Sequence, residues 1–383
     1  MNHEQGRTRT AAHDRAERTP ERTPEPTAGP GEPTAGPGKP GARRAAPLRV
    51  LRVLRVLRAA ARPEPWQRGP VLTALALLLG LLLLLHAQVP NAGWHLGSLV
   101  ENLLPWFGLF VPLLLAAAWW RRSAAAVLAL LLPVAAWLNL FGGLLLDKSR
   151  PGGDLTVAEQ NVNADNPDPD ATARHLAGSG ADLLALVELT PQAADVYEQG
   201  LAAAYPYHVV LGTVGLWSRL PLGGAEPIDV MDYGPLAERA PAARDLAENR
   251  ALRTTVTTAR GPLTVYVAHL GSVRVTPATG FWTASRDIGV QALGRSLAAD
   301  RSERALLLGD LNGTLDDRAL AGLTAGMRSA QDTAGDGFGF SYPASFPMVR
   351  IDQILLRGVT ATYSRVLPDD GSDHLPVAAG IRW

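Results

Sequence analysis

The sequence contains no cysteine among its 383 residues. Disulfide bonds, thiol catalysis and cysteine-ligated zinc are therefore excluded, whereas an oxidising compartment is not. Lysine is almost as scarce, which we attribute to GC-rich coding rather than to chemistry. The net charge is zero only over the whole chain: residues 1–146 hold 16 Lys and Arg against 8 Asp and Glu, a charge of +8, while residues 147–383 hold 20 against 28, a charge of −8. The two parts therefore face different surroundings.

Residues 1–69 lack the apolar segments that a packed core requires. The first part is polar and rich in Pro, Gly, Thr and Glu, and Glu25–Gly31 is repeated as Glu32–Gly38. Such a composition cannot bury enough apolar surface to offset chain entropy. Leu48–Arg58 repeats Leu-Arg-Val with a period of three, which is either a low-complexity expansion or a basic helix at a membrane surface. We predict a disordered, basic, cytoplasmic tail.

Three long hydrophobic segments follow, and each approaches the roughly 20 residues that cross a bilayer. They are Val71–Val89, Leu99–Trp120 and Ala124–Leu146. The first begins too far from the N-terminus to be a cleavable signal peptide. A soluble helical bundle, the alternative, needs charged helix faces that these segments lack. Residues 70–146 are therefore predicted to form three transmembrane helices, with Glu101 and Asn102, the polar exceptions, at the outer interface.

The distribution of arginine predicts the orientation of these helices. Arg121 and Arg122 separate the second and third segments, whereas the loop Pro90–Ser98 contains no Lys or Arg. The first segment is preceded by Arg52, Arg55, Arg58, Arg62 and Arg68. Because basic loops stay in the cytoplasm, the N-terminus is predicted to be cytoplasmic. Three crossings then make this a multi-pass cell-membrane protein whose remaining domain is extracytoplasmic.

Residues 152–383 show short β-type runs separated by a few helical stretches. The predicted strands are Leu155–Ala158, Leu183–Val187, His208–Leu211, Gly215–Trp217, Leu252–Thr257, Leu263–Ala268, Ala305–Leu308, Gln353–Leu356 and Val377–Ile381. The predicted helices are Ala171–Ala177, Gln192–Ala204 and Thr283–Ala299. Many strands with few helices between them indicate an α/β sandwich of mixed sheets covered by helices.

Polar residues end several of these strands. Leu306–Leu308 leads into Gly309, Asp310 and, one residue further, Asn312. Residues two apart on a strand point to the same side, so Asp310 and Asn312 can reach one ligand. Asp373 and His374 form a second polar pair just before the last strand. A single acid at a strand end is more often a turn or cap residue, but this combination predicts a site for a metal ion and a phosphate.

The polar strand ends belong to seven motifs that follow one another in a fixed order. They are Leu155–Val162, Leu184–Glu188, Leu216–Pro221, Val267–Leu270, Gly309–Asn312, Arg350–Gln353 and Ser372–Pro376. Together they resemble the endonuclease/exonuclease/phosphatase superfamily from about Leu155 to the end of the chain. The resemblance implies a four-layered α/β sandwich that hydrolyses phosphate esters with a divalent ion, Mg²⁺ or Mn²⁺.

The resemblance also implies roles for individual residues. Glu188 would be the principal metal ligand, with Asn161 and Asp373 close to the ion or its waters, and carboxylate and amide oxygens suit such a hard dication. Asn163 stands where some members carry an Asp, which leaves its part in metal binding doubtful.

The remaining implied roles concern the phosphate. Asp310 would orient or deprotonate the attacking water, and Asn312 would hold a phosphate oxygen. His374 would face the phosphoryl group, with Asp352 fixing its tautomer. A further phosphate contact is implied for His269, and a guanidinium clamp for Arg250 or Arg253.

The substrate is less defined by the sequence. A nuclease gains affinity from basic residues, and a domain charge of −8 disfavours nucleic acid as a partner. A three-helix anchor favours a membrane lipid phosphate, and the architecture is similar to VanJ-type teicoplanin-resistance proteins, which are thought to act on undecaprenyl pyrophosphate. A non-enzymatic binding module is the third alternative. The aromatic residues Phe338, Phe340, Tyr342 and Phe346 are read either as core or as a rim for an apolar substrate.

Overall fold

The computed structural model describes residue 64 and residues 66–231 and 249–383 of the chain. The prediction of a disordered tail, including the Leu48–Arg58 repeat, falls almost wholly outside these described residues.

The described part of the chain begins with three helical spans that are long and apolar enough to cross a membrane: Pro70–Gln88, Leu104–Arg121 and Ala124–Leu145. Large apolar side chains on them remain exposed, including Leu78 at 61% and Leu113 at 65%. Hydrocarbon rather than water suits such a surface. The α-helices of this region are α1 (Pro70–Leu85), α2 (Leu96–Asn102), α3 (Phe110–Arg121), α4 (Ala124–Ala129) and α5 (Leu131–Phe141), with 3₁₀ turns at His86–Gln88, Leu104–Leu109 and Gly142–Leu145.

The second span begins at Leu104 and not at Leu99, where the hydrophobic run in the sequence starts. Leu103 leaves the helical conformation with φ −102° and ψ 7°, and Pro105 occupies the start of the next helical turn. Proline is tolerated in a first turn but not in a helix interior, so the run is divided there. Helix α2 is thereby a separate connector between the first two spans.

Two six-stranded mixed sheets form the C-terminal domain. The first has the order β13-β14-β1-β2-β4-β3 and the second β11-β12-β10-β7-β6-β5. Within each sheet a central parallel pair, β1 with β2 and β10 with β7, is flanked by antiparallel neighbours.

The strands of the first sheet are β1 (Leu155–Asn161), β2 (Leu183–Val187), β3 (Tyr207–Leu211), β4 (Val214–Ser218), β13 (Thr360–Val366) and β14 (Val377–Arg382). Those of the second are β5 (Leu222–Pro227), β6 (Ala251–Thr258), β7 (Gly261–Ala268), β10 (Ala305–Asp310), β11 (Arg328–Ser329) and β12 (Asp352–Arg357), while β8 (Arg274–Thr276) and β9 (Gly280–Trp282) pair only with each other. The helices are α6 (Pro169–Ala177), α7 (Pro191–Leu201), α8 (Ala284–Ala299), α9 (Ala321–Thr324) and α10 (Ala330–Ala334).

Three apolar clusters arrange these elements into four layers. Leu306 and Leu308 lie in a cluster between the two sheets, while Leu307 points to the opposite face and packs with α8. A third cluster joins β2 to α6 and α7. Both faces of the central strands are therefore covered, which explains their continuous apolar sequences. The predicted α/β sandwich of two mixed sheets flanked by helices is confirmed.

Candidate active site

Strands β7 and β10 end side by side at one edge of the second sheet. Gly309 has a φ of 148°, and a Cβ atom there would collide with the backbone carbonyl of Ala268. Only glycine permits so close an approach of two strands. As a result Asp310 lies beside His269, with 3.7 Å between Oδ2 of the aspartate and Nε2 of the imidazole.

Asp310 is almost completely buried, at 1% exposure. Its Oδ2 accepts hydrogen bonds from the side-chain amides of Asn161 at 3.1 Å and Asn312 at 3.2 Å, and its Oδ1 accepts one from the Asn312 backbone N–H at 2.8 Å. Burial and the negative charge of Asp352 raise the pKa of Asp310 to about 7 against the opposing effects of His374 and these hydrogen bonds. A carboxyl group with this pKa can take up a proton near neutral pH, as a general base must.

His374 is held by Asp352 on its Nδ1 side. The distances from Nδ1 to the two Asp352 carboxylate oxygens are 2.9 and 3.1 Å, and the Ser341 hydroxyl donates to Asp352 Oδ2 at 2.5 Å. Burial alone lowers the pKa of His374, but the charge of Asp352 and the hydrogen bond to it, with Asp310 and Asp373, raise it to about 9. His374 is thus an imidazolium at neutral pH. Its Nε2 lies 4.0 Å from Asp310 Oδ2.

The second histidine, His269, is uncharged at neutral pH. His269 Nε2 lies 3.3 Å from Glu188 Oε1, and Nη2 of Arg250 is 2.7 Å from His269 Nδ1. Burial, the Arg250 charge and His374 lower the pKa of His269 well below its ordinary value. Two histidines whose pKa values are shifted apart serve different functions, and only His374 carries a positive charge at neutral pH.

The two candidate arginines lie in different places. Arg250 precedes β6 and reaches the site edge, where its Nη2 also donates to the Leu270 carbonyl at 3.3 Å. Arg253 lies opposite Tyr266 inside the strand, and its guanidinium is 3.4 Å from Asp300 and 3.7 Å from Glu226. Three residues along a strand amount to about 10 Å, so the structure does not bring Arg253 to the phosphate site.

The predicted metal ligands surround the same space. Glu188 follows β2 with a left-handed φ of 61°, and its Oε2 accepts from the Ala164 N–H at 3.1 Å. Asn161 ends β1, and its Oδ1 accepts from the Asn163 N–H at 3.0 Å. Asp373 is exposed and lines the site cavity together with Glu188. The carboxylates of Glu188 and Asp373 on one cavity fit a hard divalent cation, whose charge would offset their mutual repulsion, while Asn161 is tied to the cavity through its hydrogen bond to Asp310.

Asp310, Asp352 and His374 also place one ligand atom each within 4.8 Å of one another. We interpret this group as a proton-transfer unit, because His374 Nδ1 and Asp352 Oδ2 are already joined by a hydrogen bond of 2.9 Å. The oxygen-rich side formed by Glu188 suits a magnesium-like ion better.

The cavity in front of these groups has a volume of about 290 Å³. Its walls come from both parts of the chain: Asp310, Asn312, Tyr342, Asp373 and His374 of the domain, with Glu188, Ser272, Val273, Phe281, Val349 and Ile351, and Leu99, Asn102 and Leu103 of the connector between the first two spans. The site is therefore completed by residues that precede the second span.

A buried polar network joins α2 to the loop that follows Asn312. The Asn102 amide donates to Asp317 at 2.8 Å, and its oxygen accepts from the Thr314 N–H at 2.8 Å. Asp317 forms a fully buried ion pair with Arg286, at 2.8 Å, and Arg286 also donates to the Asn312 carbonyl at 3.4 Å.

A second ion pair reinforces the same junction. The guanidinium of Arg318 lies 2.9 Å from Glu101, which is 1% exposed. Glu101 and Asn102, expected at an outer interface, therefore lie against the C-terminal domain.

Two residues of the site have no assigned role in the sequence motifs. Tyr342 packs against His374, with 4.6 Å between ring centroids and the rings tilted by 44°, and lines the cavity. Glu159, on β1, is fully buried, and burial with the charges of Asp352 and Asp310 raises its pKa well above the ordinary value. The spacing of aromatic residues around Tyr342 indicated a role for that residue. Nothing in the β1 sequence indicates that Glu159 faces Asp310 and Asp352.

Known proteins were compared with this chain. Among solved structures it is similar to humanized D. rerio TDP2 (20% identity, TM-score 0.47), a Bacteroides thetaiotaomicron mannosyl-6-phosphatase (15%, 0.46) and Streptomyces griseocarneus sphingomyelinase C (19%, 0.44). These alignments cover 60%, 60% and 59% of this chain and 99%, 100% and 98% of the respective structures. No curated protein matches the chain significantly.

The match to a family is more extensive. Residues 137–374, more than half of the chain, match the Endonuclease/Exonuclease/phosphatase family. The fold of the C-terminal domain and the order of its polar strand ends agree with that match. The protein belongs to the Endonuclease/Exonuclease/phosphatase family, whose members are typically metal-dependent phosphoesterases or nucleases.

Proposed function

We propose that this protein is a membrane-anchored phosphoesterase that depends on a divalent cation, Mg²⁺ or Mn²⁺, and hydrolyses the phosphate of a membrane lipid such as undecaprenyl pyrophosphate. The observation that carries the lipid assignment is the composition of the cavity wall: Leu99, Asn102 and Leu103, which border the second span, lie in the same cavity as Asp310 and His374. A headgroup at the membrane surface can enter such a cavity directly.

The chemistry assigned to this chain follows from its hydrogen bonds. Asp310 accepts the proton of the attacking water, since its pKa of about 7 suits a general base. The positively charged Nε2–H of His374 donates to a phosphoryl oxygen, and the Asn312 amide contacts another. The P–O bond to the leaving oxygen breaks on the side of phosphorus opposite the attacking water. Because Asp310 Oδ2 and His374 Nε2 are only 4.0 Å apart, both groups act on the side of the attacking water.

A bound divalent cation would supply charge neutralisation at the phosphate oxygens. Glu188 and Asp373, with the amide oxygen of Asn161, would hold it. Arg250, beside His269, would add a second positive charge to neutralise the phosphate oxygens.

The ends of the spans support an extracytoplasmic position for the domain. Trp119, Trp120 and Arg121 lie at one end of the helical region, where the Ser123 hydroxyl also donates to the Arg68 carbonyl. The domain contacts are made at the opposite end, through α2 and Trp106. Basic residues at the end remote from the domain agree with a cytoplasmic location of that end. Alkaline phosphatase fused after Trp383 should be active, and an inactive fusion would reverse the orientation.

The similarity in architecture to VanJ-type proteins also supports this proposal, because three spans precede the same kind of domain in both. A nuclease is the second candidate, since nucleases belong to the family. The net charge of −8 between residues 147 and 383 disfavours it, because nucleic-acid affinity depends largely on basic residues.

The test is hydrolysis by the purified full-length protein in detergent. Release of phosphate from polyprenyl pyrophosphate and phosphatidic acid is compared with cleavage of DNA, each with Mg²⁺ and with EDTA. We expect Mg²⁺-dependent phosphate release that Asp310→Asn abolishes. Faster cleavage of DNA than of either lipid would instead establish the nuclease, with the catalytic residues unchanged.

A further inference from the structure

A second cavity lies where the spans meet the domain, and two of the aromatic residues considered above as a rim for an apolar substrate, Phe338 and Phe340, line it. Its volume is about 440 Å³. It is lined by Pro105, Trp106, Gly108, Leu109, Val111 and Pro112 of the second span, Val134, Trp137 and Leu138 of the third, and Phe338 and Phe340 of the domain. We call it the apolar groove. An apolar cavity of about 150 Å³ already accepts benzene, so this one has room for a longer hydrocarbon.

The polar atoms of the groove lining are already engaged. The indole N–H of Trp106 donates to the Met348 carbonyl at 2.8 Å, and that of Trp137 donates to the Pro105 carbonyl at 2.8 Å. The groove therefore offers only apolar contacts to an occupant.

Aromatic stacking fixes the shape of its domain side. Phe340 stacks on Trp106 with ring centroids 5.6 Å apart and on Phe338 at 5.1 Å. Phe338 in turn contacts Trp137 and Phe141 of the third span. The groove wall is thus a rigid contact between the domain and two spans.

Two short segments of chain run from the active-site cavity to the groove. Leu103 lines the active-site cavity, and Pro105, two residues later, lines the groove. Tyr342 also lines the active-site cavity, where its ring contacts that of His374, and Phe340, two residues earlier, lines the groove. From there the lining extends to Pro112, about 12 Å into the second span at the rise of a helix.

Building on the proposed function, we propose that the apolar groove holds the hydrocarbon chain next to the headgroup of a lipid phosphate substrate while the phosphate lies against Asp310 and His374. The position of the groove gives this chain its direction: it leaves the active-site cavity beside Leu103 and runs into the region of the spans. Since lipid tails are as apolar as the groove, the groove contributes position more than affinity.

Ordinary bilayer lipid is the competing occupant. The hydrocarbon chain of a bilayer lipid would enter the groove whatever its headgroup. The hydrocarbon chain of a substrate would enter because its phosphate is bound in the neighbouring active-site cavity. The two cases therefore differ in their dependence on the headgroup.

The first measurement is photo-crosslinking with the full-length Asp310→Asn protein in Mg²⁺, so that the cation is present and hydrolysis does not interfere. Two probes carry the same diazirine-labelled chain, one with a phosphate monoester headgroup and one with a free hydroxyl. We expect the phosphate probe to label residues 105–112 and 134–138 several-fold more than the alcohol probe. Equal labelling by both probes would overturn the proposal and leave only bilayer lipid in the groove.

The second measurement uses two leucines on the same face of α5. Leu138 lines the groove, and Leu131, seven residues earlier and 63% exposed, does not. Leu138→Trp should lower kcat/KM for a long-chain lipid phosphate about tenfold, on the scale of packing contacts within membranes, and spare a water-soluble short-chain phosphate ester. Leu131→Trp should change neither rate.

These outcomes separate the two proposals. Equal effects of Leu138→Trp and Leu131→Trp on a protein that hydrolyses lipid phosphate would overturn the groove assignment alone. Groove labelling that follows the phosphate, in a protein that hydrolyses no lipid, would support the binding site and overturn the proposed reaction.

Discussion

Replacement of Asn102 tests whether the connector holds the active site in its working geometry. In Asn102→Ala the Thr314 N–H loses its acceptor and Asp317 loses one donor, both at 2.8 Å and both buried. A buried unsatisfied N–H costs about 1–3 kcal/mol and a hydrogen bond to a charged group contributes about 1.5–3 kcal/mol. The junction should therefore weaken by about 2.5–6 kcal/mol.

The consequence should appear in turnover. The loop from Asn312 to Asp317 carries the proposed phosphate contact at one end and the junction at the other, so a weakened junction increases the population in which Asn312 is displaced. We expect kcat to fall by about ten- to a hundredfold in a protein whose helix and strand content at assay temperature matches that of the wild type. Phosphate release from a lipid phosphate in detergent measures the first, and circular dichroism the second.

Asn91 offers a matched control. It binds the same helix, through its amide to the Ser98 hydroxyl at 3.1 Å and its oxygen to the Ser98 N–H at 2.8 Å. In Asn91→Ala the Ser98 hydroxyl still donates to Asp317 at 3.0 Å, so the hydrogen bonds to the domain remain. Asn91→Ala should leave kcat within about threefold. A folded Asn102→Ala protein with wild-type kcat would refute the reasoning, because the loop would then be held by the domain alone.

Three further predictions concern the domain. Asp310→Asn should lower kcat at least about a hundredfold without unfolding, whereas Asn163→Gly, which keeps a left-handed backbone, should have a much smaller effect on hydrolysis. Mg²⁺ at a hundred times its Kd should stabilise the wild type by about 2.7 kcal/mol and so raise its unfolding temperature, and a similar rise in Glu188→Gln would argue against Glu188 as a ligand. Burial raises the pKa of Asp370 to about 6, so the folded state holds its proton more tightly than the unfolded state and stability falls as pH rises from about 4 to 6. Asp370→Asn should therefore stabilise the domain by about 1–3 kcal/mol at pH 7.5 and hardly at pH 4, as thermal unfolding at both pH values would measure.

The sequence predicted the central strands because both of their faces are buried. Leu306–Leu308 and Leu183–Val187 are continuous apolar runs that no turn residue interrupts. Strand β13, Thr360–Val366, was not predicted because it lies at a sheet edge and carries polar residues, and β5 contains two glycines and ends in a proline. Edge strands have fewer packing constraints, so their sequences resemble loops.

The same distinction applies to the site. Asp310 and His374 are marked by polar residues that follow or precede apolar strands, and the structure brings them together. No local pattern in the sequence indicates that the connector contributes to the site, because Asn102 and its partner Asp317 are 215 residues apart. Arg253 shows the converse: it lies near a strand start in the sequence, but its guanidinium is paired with Asp300, which follows α8, and with Glu226 of β5.

The active-site wall formed by Leu99 and Leu103 has a consequence for the work done on each turnover. A soluble enzyme must pull part of a lipid out of the bilayer, which costs about 0.8 kcal/mol for every methylene exposed to water. For the lipid phosphate substrate that we propose, a wall that continues into the candidate membrane spans would let substrate arrive and product depart by lateral diffusion within the leaflet, and no methylene would need to be extracted.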